Sequence, residues 1–292
     1  MTYATDSFDT LPRLPAWVTA GRPETPEDVS FLSGAALSHL HLVLCREDVP
    51  QSLLRTRLAL RAAEVCVTHQ GRPERASELR DAVTFLQPDD SPGPAGEVYL
   101  SWRRAIERSV SVNALHRALP DLEPERIATW LDTGQGAPVP RAAAVLQAVI
   151  EDRPRDLAAS LILADAALAQ AFGWTHVLPL LSLGLKRADL RMTRAKLRLA
   201  CHQAIVAAAT EATREVADLS RCAARLNEVA PTLRAKGSDE AVSKFLNCDA
   251  VAPTALTSLR SDRAARRFCD RLVELGAVRE LTGRDTFRLY GI

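Results

Sequence analysis

Residues 193–229 read TRAKLRLACHQAIVAAATEATREVADLSRCAARLNEV, and the spacing of the apolar residues in that run decides the fold class. Leu197, Cys201, Ala204, Ala208, Ala212, Val216, Leu219, Ala223 and Leu226 recur every three or four residues, with Ala230 just beyond. A period of 3.6 puts them all on one face, so the run predicts a single long helix with one apolar stripe. Arg214, Asp218, Arg221 and Arg225 fall on another face at spacings that allow ion pairs, which describes a solvated surface.

The same periodicity extends toward the N-terminus. Thr25-Pro26-Glu27-Asp28 is a helix start: a capping hydroxyl, a proline at the first helical position and acids at the positive end of the dipole. That helix should run to Cys45, and a second should follow Pro50 and stop at Gly71. A third opens at Pro73-Glu74 and ends near Leu86. The turn-rich loop 87–96 feeds a helix carrying Trp102, with shorter helices at 111–119 and 124–131. Gly134-Gln135-Gly136-Ala137-Pro138 reads as a linker or exposed loop. Helices are expected at 140–151, 155–171 and 176–184, with a turn at Gly173-Trp174. Residues 1–24 carry Pro12, Pro15 and Pro23 with little periodicity and read as an extended arm, pinned by Trp17 and Val18.

Composition fits helix-on-helix packing. Hydrophobic residues make up 47% of the 292-residue chain, enough to bury a core, while aromatics are only 5%. Residues 157–185 are strongly apolar, but Asp165, Gly173, His176 and Pro179 interrupt them, so two buried helices explain them better than a membrane span. The N-terminus lacks the basic-then-apolar pattern of a signal peptide, and a cytoplasmic protein is expected. None of Cys45, Cys66, Cys201, Cys222, Cys248 and Cys269 forms a CxxC pair; reduced thiols behaving as small hydrophobes are the expectation. Charge is uneven: residues 1–185 hold 17 basic and 23 acidic side chains, residues 186–292 hold 20 and 13. That asymmetry points to a C-terminal half that faces a polyanion.

Past Gly237 the texture changes. Residues 238–247 predict a helix, Pro253 opens a short one, and Ser261 caps a third from Asp262 to Leu275, stopped by Gly276. Ala264, Phe268, Leu272 and Leu275 are its inward set. Two β-like runs follow, Ala277–Leu281 and Thr286–Tyr290, joined by Thr282-Gly283-Arg284-Asp285 as a hairpin turn. Three helices and a hairpin in about sixty residues is the layout of a winged helix-turn-helix. Arg263, Arg266 and Arg267 lie opposite the apolar stripe in the half that would enter a major groove, Arg271 flanks them, and Arg284 and Arg288 decorate the hairpin with Arg279. Against this, residues 236–292 total 10 basic and 8 acidic side chains, and Asp270 lies at pairing distance from Arg266 and Arg267. The expected architecture is mainly α: an arm (1–24), a multi-helix domain (25–235) and a winged-helix-like module with a short β-hairpin (236–292).

No phosphate loop, GxGxxG, HExxH or GxSxG motif occurs. His39 and His41 are two apart on a helix and Cys201-His202 are adjacent, so neither pair shares a face, and His69, His116 and His176 lack patterned partners. No metal, cofactor or catalytic residue is expected. Asp165, inside an apolar helix, needs compensation if buried; Arg57 and Arg61 are the candidate partners in a structural ion pair. The Pro92–Gly96 loop, at a helix start, either holds an anion on free N–H groups or simply turns the chain.

Leu79-Arg80-Asp81-Ala82, Pro92-Gly93-Pro94-Ala95-Gly96, Ser101-Trp102-Arg103-Arg104, Leu233-Arg234-Ala235-Lys236-Gly237 and the ending from Asp262 to Gly291 resemble the bacterial family catalogued as Domain of Unknown Function 1403. The resemblance spans nearly the whole chain and implies no activity. The last forty residues also resemble the C-terminal winged helix of some Fic-type nucleotidyl transferases. Those enzymes need an HPFxxGN-like run, which is absent, so adenylyl transfer is not carried over. Two readings stay open. In one, a non-enzymatic protein binds double-stranded DNA through its last module, in a regulatory or replicon-associated role. In the other, a helical scaffold docks a protein partner or a second copy of itself through that module.

Overall fold

The apolar stripe of residues 193–229 folds as one helix, Arg194–Val229 (α11), and Leu197, Cys201, Ala204, Ala208, Ala212, Val216, Leu219, Ala223 and Leu226 are all buried along it. The structure, a computed structural model, describes residues 13–21, 25–87, 89–284 and 286–292. Among the described residues ten α-helices precede α11: α1 (Ala16–Thr19), α2 (Pro26–Leu44), α3 (Gln51–His69), α4 (Ala76–Thr84), α5 (Gly93–Glu107), α6 (Val112–Ala118), α7 (Pro124–Thr133), α8 (Pro138–Asp152), α9 (Leu157–Phe172) and α10 (Leu181–Gly184). Two more, α12 (Ser238–Asn247) and α13 (Asp262–Glu274), lead into a two-residue antiparallel pair, β1 (Arg279–Glu280) and β2 (Tyr290–Gly291). The fold is mainly α. Among the described residues no helix is long and apolar enough to cross a membrane.

Contacts group the chain into two units that differ from the sequence division at 235/236: one holds residues 14–40 and 55–212, the other 41–54 and 213–292. The difference has a simple cause. α11 is a single 36-residue helix that supplies its first half to one unit and its second half to the other.

In the larger unit α8 packs along α9, and α4 through α7 pack on their chain neighbours. Trp102 on α5 is fully buried and gives its indole N–H to Cys66 Sγ on α3 at 3.4 Å. Burial pushes the thiols of Cys66, Cys201 and Cys269 up to about 12, so these three stay protonated and act as hydrophobes, as read. Cys45 is exposed, and Cys222 and Cys248 are half-buried. At α2, Thr25 and Asp28 form the expected cap: the Asp28 N–H donates to Thr25 Oγ1 at 3.2 Å and the Thr25 N–H to Asp28 Oδ2 at 3.0 Å. Within the expected arm, residues 1–12 and 22–24 lie outside the described residues. The part described is not extended throughout: it holds the single turn α1, with Val18 buried and Trp17 stacked on Phe31 at 5.7 Å.

Asp165 corrects a second expectation. It is fully buried on α9, and the groups that hold it are not arginines. Its Oδ1 accepts the N–H groups of Leu180 (3.1 Å) and Leu181 (2.8 Å); its Oδ2 accepts the N–H (3.3 Å) and hydroxyl (3.1 Å) of Ser182. Arg61 is engaged by Glu211 at 3.1 Å, and Arg57 is half-buried on α3, outside the set that binds Asp165. The carboxylate thus caps the first turn of α10 from another helix, satisfying N–H groups that a helix start leaves orphaned. This also explains why the helix expected over 176–184 is only Leu181–Gly184: Pro179 has no N–H to continue a ladder, and Asp165 takes the next three.

Burial pushes the Asp165 carboxyl up to about 7, against the pull of its four donors. An unfolded aspartate titrates near about 4. The folded state therefore keeps this proton at pH values where the unfolded chain has lost it. Its contribution to stability is complete below about pH 4 and is lost as pH rises through about 7. Urea midpoints between about pH 4.5 and about pH 8 should fall with rising pH by this route, and Asp165→Asn should flatten that component. Asp165→Leu, which orphans three buried N–H groups, should cost about 3 kcal/mol or more at any pH in that window.

Candidate nucleic-acid interface

α13 is amphipathic with little ambiguity. Ala265, Phe268, Cys269 and Leu272 are buried; Asp262, Arg263, Arg266, Arg267, Asp270, Arg271, Val273 and Glu274 are exposed. Two of the four residues expected inward, Phe268 and Leu272, are so placed, whereas Ala264 and Leu275 are only half-buried and Ala265 and Cys269 complete the stripe. Ser261 caps the start, its Oγ accepting the Ala264 N–H at 3.3 Å. At the end Gly276 takes φ +64°, where a side chain would be strained, and Ala277 N–H closes onto Leu272 O at 2.9 Å. From α11, Arg225 donates to the Leu275 carbonyl at 3.0 Å, filling an acceptor at the helix C-terminus.

The preceding segment is tied in as tightly. Gly237 has φ +87°, and a Cβ there would lie 2.3 Å from the Ser258 carbonyl oxygen, so only glycine permits this approach. The helix expected to open at Pro253 is one 3-10 turn, Pro253–Ala255, since Leu256 and Leu259 already reach the core from it. Val251 and Tyr290 exchange backbone hydrogen bonds at 2.8 and 3.0 Å, which adds a third short strand position beside the hairpin. The hairpin ladder is shorter than the runs Ala277–Leu281 and Thr286–Tyr290 suggested. Glu280 explains part of this: its carboxylate accepts the N–H groups of Thr282 (2.8 Å) and Gly283 (2.9 Å) and the Thr282 hydroxyl, so the chain turns away from the ladder. Asp285, expected in the turn, lies outside the described residues.

The six arginines singled out fall into three groups. Arg263, Arg266 and Arg267 are exposed and make no ion pair among the described residues. Asp270 does not neutralise them; its carboxylate receives the Tyr290 hydroxyl at 3.4 Å. Arg271 is paired with Glu274 at 3.0 Å. Arg284 and Arg288 are exposed on the hairpin and joined to each other, Arg288 Nε donating to the Arg284 carbonyl at 2.9 Å. Sequence reasoning passed over Arg260, which is exposed one residue before the cap and extends the row 260, 263, 266, 267. Its three-residue offset from Arg263 was the available signal, hidden because Arg260 lies outside the helix. Among the described residues no cluster of three or more His, Cys, Asp or Glu side chains is placed to hold a metal ion.

These observations define a mainly helical protein with a small C-terminal helix-and-hairpin unit bearing an outward arginine row. The chain belongs to the family described as Protein of unknown function (DUF1403), which it matches over residues 2–292. Among curated proteins nothing matches it.

Because Arg263, Arg266 and Arg267 make no bond among the described residues, replacing all three by alanine should leave the urea midpoint nearly unchanged, within about 0.5 kcal/mol per site. Phe268→Ala, on the buried stripe of the same helix, should cost about 3 to 5 kcal/mol. A large loss from the triple variant would show that these arginines serve the fold.

Proposed function

We propose that this protein binds duplex DNA through its C-terminal unit, acting as a winged helix-turn-helix, and catalyses no reaction. One observation carries the reading: Arg263, Arg266 and Arg267 stand exposed on one helix face with no carboxylate paired to them among the described residues. A row of unengaged guanidinium groups on a helix suits phosphates and guanine edges, which take bidentate donors. Arg260 adds a fourth cation, and Arg284 and Arg288 on the hairpin are where a wing meets backbone phosphate. The order α12, strand position Val251, 3-10 turn, α13, β1, β2 supports the same layout. A duplex-binding role would be exercised in the cytoplasm, with the helical body serving regulation or replicon maintenance.

A second reading, docking of a protein partner or of a second copy, is favoured by Val273 and Phe287, which are 39% and 71% exposed in the same unit. Titrating a mixed-sequence duplex at several salt concentrations separates the two. Each neutralised phosphate contributes about 0.9 to the slope of log affinity against log salt. Removing Arg263, Arg266 and Arg267 together should flatten the slope by about 2 to 3. Identical curves for both proteins would overturn the DNA reading. No retention on duplex together with a mass that rises with concentration would favour docking.

A further inference from the structure

A cleft of about 620 Å³ lies in the larger unit, between the first turn of α2, the start of α8 and the first turns of α11. Pro26, Pro140 and Leu199 give it hydrocarbon walls, Lys196 and Arg198 stand at its edge, and His202 lines it. His202 is 8% exposed, and its Nδ1 is 2.6 Å from the Oγ of Ser33, which is 1% exposed. Ser33 Oγ also lies 2.9 Å from the Ser30 carbonyl.

Those two distances favour one tautomer of His202. A carbonyl only accepts, and a hydroxyl has one hydrogen to give. In that tautomer Ser33 donates to Ser30 O and accepts from His202 Nδ1–H. The other ring nitrogen, Nε2, is left as a lone pair with no protein partner among the described residues, on a ring that lines the cleft. Burial first, and Arg198 second, hold the imidazole below its usual range, which keeps that lone pair available at neutral pH. An acceptor with no donor among the described residues, on a ring that lines the cleft, is open to a donor group of a ligand seated there.

We propose that the cleft binds a small organic acid with an apolar body and a hydroxyl group. Its carboxylate meets Lys196 and Arg198, its hydroxyl donates to His202 Nε2, and its hydrocarbon lies on Pro140 and Leu199. Glu27, on the same rim, penalises a second negative charge and so sets this ligand apart from phosphates. The site stands independently of any DNA contact.

The test uses the full chain and 4-hydroxybenzoate, with benzoate, 4-hydroxybenzamide and inorganic phosphate as comparisons. Calorimetry gives affinity, and the ¹⁵N shift of His202 Nε2 reports where the probe sits. We expect 4-hydroxybenzoate to bind at least about tenfold tighter than each comparison and to move the His202 signal. Lys196→Ala with Arg198→Ala, both exposed, should weaken it by about tenfold or more without lowering the melting temperature. Ser33→Ala, which frees the imidazole to change tautomer, should erase the advantage over benzoate. Equal binding of all four probes would overturn the proposal. So would an unmoved His202 signal at about 10 mM 4-hydroxybenzoate, or unchanged affinity in the double variant.

Discussion

A helix that buries one stripe has no freedom over what it exposes, and that constraint underlies both units of this protein. On α11, a 36-residue helix, the stripe from Leu197 to Leu226 repeats at the helical period. On α13 the stripe is short, Ala265, Phe268, Cys269 and Leu272, yet burying it determines the direction of every arginine on that helix. Each buried large side chain there contributes about 1.5 to 3 kcal/mol relative to exposure. Turning α13 so that the arginines faced inward would forfeit that and bury unpaired cations as well. Apolar packing therefore aims the cations at solvent, although it does not itself bind anything.

Polar groups inside the larger unit follow a different logic, in which dipoles stand where ion pairs were expected. Asp165 is held by three backbone N–H groups and one hydroxyl, all from a short stretch of chain, and so fixes the start of α10 against α9. His202 is held by Ser33, which is held by a backbone carbonyl. In both cases the partner is close in space and remote in sequence. The arrangement at Asp165 is complete, with each oxygen receiving two donors. At His202 one ring nitrogen has no protein partner among the described residues, and that difference directs attention to it as a binding site.

Periodic features were legible in the sequence. The bounds of α11, the start of α2 at Thr25, the capping of α13 by Ser261 and its end at Gly276 all depend on residues within a turn or two of one another. The orientation of α13 followed from the same local pattern, apart from the half-buried Ala264 and Leu275 at its two ends. What the sequence hid was set by tertiary contact. Residues 176–180 have an apolar, helix-compatible texture, but Pro179 lacks a ladder donor and Asp165 takes the N–H groups of the three residues after it. The 3-10 turn at Pro253 and the short ladder at Glu280 were hidden for similar reasons, one by the reach of Leu256 and Leu259 to the core, the other by a side chain accepting backbone donors. His202 looked uninformative beside Cys201 because adjacency in sequence says nothing about Ser33, 169 positions away.

Amide hydrogen exchange on the full chain, with and without saturating duplex, addresses the central claim most directly, that the outward face of α13 and its hairpin receive DNA. The account predicts slowed exchange across Arg260–Glu274 and the hairpin segment, with α9 and its Asp165 contact unchanged. A bound duplex that slowed exchange only elsewhere in the chain, leaving α13 as it was, would contradict it.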